Sequence, residues 1–266
     1  VEGSHRQGEE SRPNKQKYHS TILMPAKTRK KTIKRQPINS DLMVKVEPLT
    51  DNQQRIFDAW KKGKHMFIYG AAGTGKTFCA LYNALYDCLS STPAYSNVYL
   101  VRSLVATREI GFLPGDHDDK SSLYQIPYKN MVKYMFEMPN DNEFELLYGA
   151  LKNQETIKFW STSFLRGVTL DNAVIIIDEM QNLNFHELDS IITRVGENSR
   201  IIFCGDAMQS DLTRTNEKNG IHDFMRILEM MPDDFEMIEM NVDDICRSGL
   251  VRNYLIAKNG AGFTSL

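Results

Sequence analysis

The residues with the clearest chemistry are Gly70-Ala71-Ala72-Gly73-Thr74-Gly75-Lys76-Thr77, which match G-x-x-x-x-G-K-[ST] at every fixed position. Glycines let the backbone turn tightly enough for successive N–H groups to face one anion. Lys76 would then reach the β- and γ-phosphates of a nucleotide, and the Thr77 hydroxyl would offer an oxygen to magnesium. Further along, the apolar run 173–177 ends in Asp178-Glu179. Asp178 suits magnesium, directly or through water, and Glu179 suits a base that polarises the attacking water and takes its proton. A third run, 200–204, ends in Gly205-Asp206-Ala207-Met208-Gln209. Asp206 and Gln209 are candidates to face the γ-phosphate or that water; Asp206 could instead cap a helix. Together these residues imply a site for a nucleoside triphosphate with Mg2+. They do not say what hydrolysis drives.

The elements that must position them follow from pattern. Residues 65–69 form a short apolar run that reads as a buried strand, and 78–86 read as a helix. Strand, glycine-rich loop and helix is the context a phosphate site needs, because the helix N-terminus adds its dipole. Residues 97–101, 173–177 and 200–204 read as further strands, the last two covered on both faces. Residues 235–240 alternate like a final strand; 186–195, 219–231 and 250–257 read as helices. The expected class is α/β, with a mostly parallel sheet between helices. Ligands of such sheets bind beyond the carboxyl ends of the strands. That places Arg102, after residues 97–101, near a substrate or triphosphate, unless it pairs with a carboxylate at the core edge. Upstream, Thr50 can cap a helix with Ile56, Phe57 and Trp60 on one face. Gln53 or Gln54 in its first turn could read an adenine edge, or be an ordinary surface amide. Arg247 stands at the mouth of the last helix. It is a candidate to meet the γ-phosphate in its own site or a neighbour's, with Asp243 and Asp244 as an alternative ion-pair explanation.

Residues 116–166 read as two helices and a strand inserted on the rim of the sheet. They hold many aromatics, including Tyr124, Tyr128, Tyr134, Phe136, Phe144, Tyr148, Phe159 and Trp160, and six Lys or Arg. Rings with phosphate-binding cations could hold single-stranded nucleic acid, but core packing is the better default for most of these rings.

Composition sets bounds. The net charge of −2 hides an asymmetry: residues 1–46 carry eleven Lys or Arg against four acids, and the remainder is acidic. A basic, largely disordered arm (1–46) thus precedes one acidic domain (47–266), and residues 42–46 read as a strand leading into it. The arm could contact nucleic acid phosphates, or it could lie on acidic surfaces of its own or a neighbouring subunit. Cys79, Cys88, Cys204 and Cys246 form no C-x-x-C pair, so neither a zinc site nor a disulfide framework is expected. Cys79 and Cys204 read as core residues in a reducing, cytoplasmic setting, and no apolar run is long enough to cross a membrane.

These motifs, with Arg108-Glu109-Ile110-Gly111-Phe112-Leu113-Pro114-Gly115-Asp116 and Ile176-Ile177-Asp178-Glu179-Met180-Gln181-Asn182, resemble the PhoH-like family of ATPases. The Gly-Phe-Leu-Pro-Gly element separates this family from phosphate-loop proteins in general. The likeness spans roughly residues 47–257 and departs from the family at Met180, where alanine is common. It implies a RecA-like phosphate-loop core close to the first domain of superfamily 1 helicases. Gln53, Lys76, Thr77, Asp178, Glu179, Gln209 and Arg247 fall at matching positions. It also implies RNA or single-stranded DNA as partner and a homo-oligomer, with a hexameric ring as the candidate form. The length leaves no room for the nuclease domain some members carry, so a stand-alone form of bacteriophage type is expected. A motor, a nucleotide-controlled assembly protein and, less readily, a small-molecule kinase are the competing functions.

Overall fold

The computed structural model describes residues 38–102, 117–165, 167–206 and 215–261. Its centre is a six-stranded sheet built from β1 (His65–Gly70), β2 (Asn97–Arg102), β3 (Ile157–Ser161), β4 (Ala173–Asp178), β5 (Arg200–Gly205) and β6 (Phe235–Met240), in the order β3-β2-β4-β5-β1-β6. Every pairing is parallel. All carboxyl ends therefore point one way, as the RecA-like α/β expectation requires.

The uninterrupted apolar runs have a direct cause. Successive side chains of a strand point to opposite faces, and here both faces are covered. Met66, Ile68, Val98, Leu100, Val174, Ile176, Ile202 and Cys204 pack on one side. There they meet α1 (Asp51–Lys61), α2 (Lys76–Cys88), α3 (His117–Met135) and α4 (Asp141–Asn153). Phe67, Tyr99, Val101, Ile175, Ile177, Ile201 and Phe203 pack on the other, against α5 (Phe185–Ile192) and α6 (Thr215–Glu229). Each such side chain, fully buried, contributes about 1.5–3 kcal/mol. A polar residue within a run would thus be costly, and polar residues gather at the strand ends.

The segment expected on the rim consists of α3, α4 and the edge strand β3. Tyr128, Phe136, Phe144 and Tyr148 are buried in the core, whereas Tyr134 is exposed. Lys129 and Lys133 pair with Glu145 and Asp141. Most of these rings therefore serve packing. Thr50 caps α1 by accepting from the Gln53 N–H. The strand expected over 42–46 does not form. A 3-10 turn at Ser40–Leu42 is followed by extended chain that buries Met43 and donates the Val44 N–H to the Met135 carbonyl, the end of a helix rather than a ladder. A final helix, α7 (Gly249–Gly260), buries none of its residues fully. No helix among the described residues is long and apolar enough to cross a membrane.

Candidate active site

The phosphate loop leaves β1 at Gly70, whose φ of +112° lies in a region that L side chains rarely adopt. A Cβ there would stand 2.1 Å from the Met240 carbonyl of the neighbouring strand. Only glycine lets the chain turn this close to β6, and the Ala71 N–H then donates to that same carbonyl. The turn ends at the first residue of α2, Lys76, with no side-chain cap on the helix. First-turn N–H groups without a side-chain cap suit an anion. Lys76 donates to the carbonyls of Gly70 and Ala71, both at 2.7 Å. Burial pushes its pKa down, against the opposing pull of Asp206, Glu179 and Asp178 among others.

Two further elements brace the loop. Gln53 on α1 is buried, and its amide donates to the Thr74 carbonyl (2.9 Å) and to Cys246 Sγ while accepting from the Leu49 N–H. Of the two amides that could read an adenine edge, Gln53 is turned to the loop in this structure and Gln54 donates to Asp58. From the other direction, the Cys246 N–H donates to the Gly73 carbonyl, and Arg247 Cγ lies 3.0 Å from where a Cβ on Gly73 would sit. Arg247 is thus an exposed arginine laid against the phosphate loop of its own chain. Among the described residues no ion pair joins it to Asp243 or Asp244. Burial pushes the Cys79 and Cys88 thiols up to about 12, as befits packing residues.

The strand order brings the acids within reach. β5 lies between β1 and β4, so its end at Gly205-Asp206 emerges between the phosphate loop and Asp178. Thr77 Oγ1 donates to Asp178 Oδ1 at 2.7 Å, joining the loop to β4. These two hard oxygens, side by side beyond an N-terminal helix turn, fit a magnesium ion that would be held jointly with phosphate oxygens. The second oxygen, Asp178 Oδ2, accepts from the Tyr128 hydroxyl on α3, also at 2.7 Å. Burial, and secondarily the Asp178 carboxylate, push that phenol far above its ordinary range, so it acts as a donor.

Glu179 breaks from the strand at φ +53°, a left-handed conformation that is strained for a residue with a side chain. Two groups hold its carboxylate. Arg102 Nη2 lies 3.8 Å from Oε1, and Gln181 Nε2 donates to Oε2. Arg102 does pair with a carboxylate, but the partner is the candidate base itself. Its guanidinium also lies 5.9 Å from the Tyr124 ring centroid. Gln181 in turn accepts from the Asp206 N–H through Oε1. A Cβ on Gly205 would lie 2.3 Å from that Oε1, so glycine is what admits the amide. Gln181 thereby ties Glu179 to the end of β5.

The structure brings together Lys76, Thr77, Asp178, Glu179, Arg102, Asp206 and, across the loop, Gln53 and Arg247. Gln209, Arg108, the Gly111–Asp116 element and the basic arm up to residue 37 lie outside the described residues. Sequence reasoning gave no role to Gln181 and left Tyr128 to the core. Gln181 had a signal, since it stands two residues after Glu179 within the motif over residues 176–182. Tyr128 had none, because its partner is fifty residues away.

Residues 45–258 match the family described as PhoH-like protein. A PhoH-like protein of Mycobacterium leprae is 32% identical over 207 residues, covering 77% of this chain and 56% of that protein. One from Synechocystis is 31% identical over 221 residues, covering 83% of this chain and 64% of that protein. The chain thus spans a little under two thirds, or less, of the length of these relatives. Among solved structures, unliganded Pif1 from Bacteroides sp is similar at 15% identity and a TM-score of 0.41, covering 83% of this chain and 47% of that one. The family match takes in both the phosphate loop and the acidic strand end, and on it the chain belongs to the PhoH-like protein family.

Proposed function

We propose that this chain hydrolyses ATP with magnesium and that the reaction is coupled to binding RNA or single-stranded DNA. The observation that carries the hydrolytic part is the 2.7 Å contact between Thr77 and Asp178, with the Glu179 carboxylate on the next residue. It joins the phosphate-binding loop to the strand end that carries Glu179. Magnesium, shared by Thr77, Asp178 and the phosphates, would supply positive charge to the leaving oxygen. The loop amides and Lys76 bind and orient the triphosphate. Glu179 takes a proton from water as the water oxygen bonds to the γ-phosphorus. The bond from that phosphorus to the bridging oxygen breaks, leaving ADP and phosphate. Arg102 and Gln181 aim the Glu179 carboxylate, and Arg247 is assigned to phosphate charge in its own subunit because it lies against Gly73 of the same chain. Gln209, six residues before α6, is assigned to sensing the γ-phosphate on its motif alone.

The nucleic acid part rests on the basic arm and on the family likeness. The test is phosphate release with magnesium-ATP, with and without single-stranded RNA or DNA, against a Glu179→Gln control. Turnover that rises with added strand, falls with salt and vanishes in the control supports the coupled reaction. Turnover indifferent to every strand favours a nucleotide-controlled assembly protein. One observation favours that second reading: Leu250 and Tyr254 on α7 are 84% and 64% exposed, while Leu255 of the same helix lies against the phosphate loop. A neighbouring subunit seated on α7 would feel the nucleotide, and nucleotide-dependent oligomer size would reveal it.

A further inference from the structure

We propose that Tyr128 is a positioning residue for Asp178, and that through it helix α3 sets the affinity of the site for magnesium. The inference rests on the site reading above and extends it to a residue outside the motifs. The two oxygens of the Asp178 carboxylate have separate partners, Thr77 on Oδ1 and Tyr128 on Oδ2, each at 2.7 Å. The terminal torsion of an aspartate is soft, so one hydrogen bond leaves the carboxylate plane free to swing. The second fixes it. With Oδ2 held, Oδ1 stays directed at the Thr77 hydroxyl, where an ion sharing both oxygens would sit.

The phenol is itself well fixed. Tyr128 is buried, its ring centroid lies 5.7 Å from that of Phe159 on β3, and Val132 and Met135 of the same helix are fully buried. A tyrosine that only packed would be served by any acceptor, or by water. This one reaches the single carboxylate that also meets Thr77. One turn earlier on α3, Tyr124 lies beside Arg102, the partner of Glu179. The inserted segment thus reaches Asp178 directly through Tyr128 and Glu179 only at one remove, through Tyr124 and Arg102, and a shift of α3 would alter the metal site first through Tyr128. Groups that orient a metal ligand typically change metal affinity about 10–100-fold when removed.

The experiment titrates Mg2+ against the full chain with a fluorescent ADP analogue, without turnover, in wild type, Tyr128→Phe and Asp178→Ala. Phenylalanine keeps the ring and removes the hydroxyl. The expected result is a Mg2+ half-saturation raised about tenfold in Tyr128→Phe, with metal-free nucleotide affinity unchanged. A Tyr128→Phe titration that overlays wild type, while Asp178→Ala loses the metal response, overturns the inference and leaves the site reading standing. So does a lowered melting temperature with an unchanged titration, the signature of packing alone. Nucleotide binding by wild type that ignores magnesium overturns the site reading and this inference with it.

Discussion

On the phosphate-loop side the main chain sets the geometry. Gly70 turns against the Met240 carbonyl, Lys76 bonds to carbonyls five and six residues back, and Gln53 and Cys246 clamp the carbonyls of Thr74 and Gly73. On the acid side, side chains from four places converge. Asp178 is held by Thr77 and Tyr128, and Glu179 by Arg102 and Gln181. Backbone carbonyls are supplied whatever the residue type, so the acceptors of the first half do not depend on sequence, although the Gly70 turn and the donors Lys76 and Gln53 do. The second half depends on the identity of each partner. A loop can thus be specified by eight contiguous residues, whereas a carboxylate pair is specified by the fold.

The comparison can be broken most sharply at Lys76. Lys76→Ala removes charge stabilisation and two bonds to the Gly70 and Ala71 carbonyls but leaves the Gly70 turn and the Gln53 and Cys246 clamps, so phosphate release should fall about 10³-fold while the melting temperature barely moves. A large melting shift would mean that the lysine, rather than the main chain, builds the loop. Glu179→Gln should cost about 10²-fold or more in turnover, with nucleotide affinity retained. Parallel loss of affinity would show the two halves to be one unit. Arg102→Ala should reduce turnover about tenfold, or ~1.4 kcal/mol, through misdirection of Glu179. The effect should disappear in a Glu179→Gln background, a double-mutant result that an unrelated structural defect would not give.

Much of this contrast was legible in the sequence, and the boundary is instructive. The four buried strands 65–69, 97–101, 173–177 and 200–204 were readable because continuous apolar runs have few alternatives in an α/β chain. The phosphate loop was readable because all of its parts are adjacent. Tyr128 was not, since an i,i+4 apolar stripe on α3 looks the same whether its hydroxyl meets a carboxylate or water. For Gln53 and Gln54, spacing could not tell an adenine-facing amide from one turned inward, as Gln53 is to Thr74 and Cys246. The strand expected over 42–46 failed because β-propensity cannot supply a ladder partner, and the segment meets the end of α3 instead.

Two smaller tests concern the brace and the far end of the sheet. Gln53→Ala leaves the Thr74 carbonyl and the Leu49 N–H without their partner, a loss of about 1–3 kcal/mol, read as a lower melting temperature. Turnover should fall less than in Arg102→Ala; a greater fall would make the brace part of the chemistry. The smallest effect belongs to His65, remote from the acids at the start of β1. Burial, with Arg200 adding, lowers its pKa below the ordinary 6.5, and its Nδ1 accepts from the Ile201 N–H. The unfolded chain therefore binds the proton more readily. Stability from neutral His65 is fully present above pH 6.5 and is lost as pH falls through the window down to the folded value. His65→Gln should flatten that acid slope, read as a smaller drop in melting temperature on acidification, with no change in turnover at neutral pH.

The left-handed backbone at Glu179 bears on how such a protein can be improved or can decay. A residue with a side chain held there costs about 1–3 kcal/mol, and glycine would relieve most of it. Selection for heat resistance alone should favour Glu179→Gly and yield a hardier, catalytically silent chain. Retention of glutamate at this position would then record selection for turnover, and its loss in a descendant would date the point at which the domain became a scaffold.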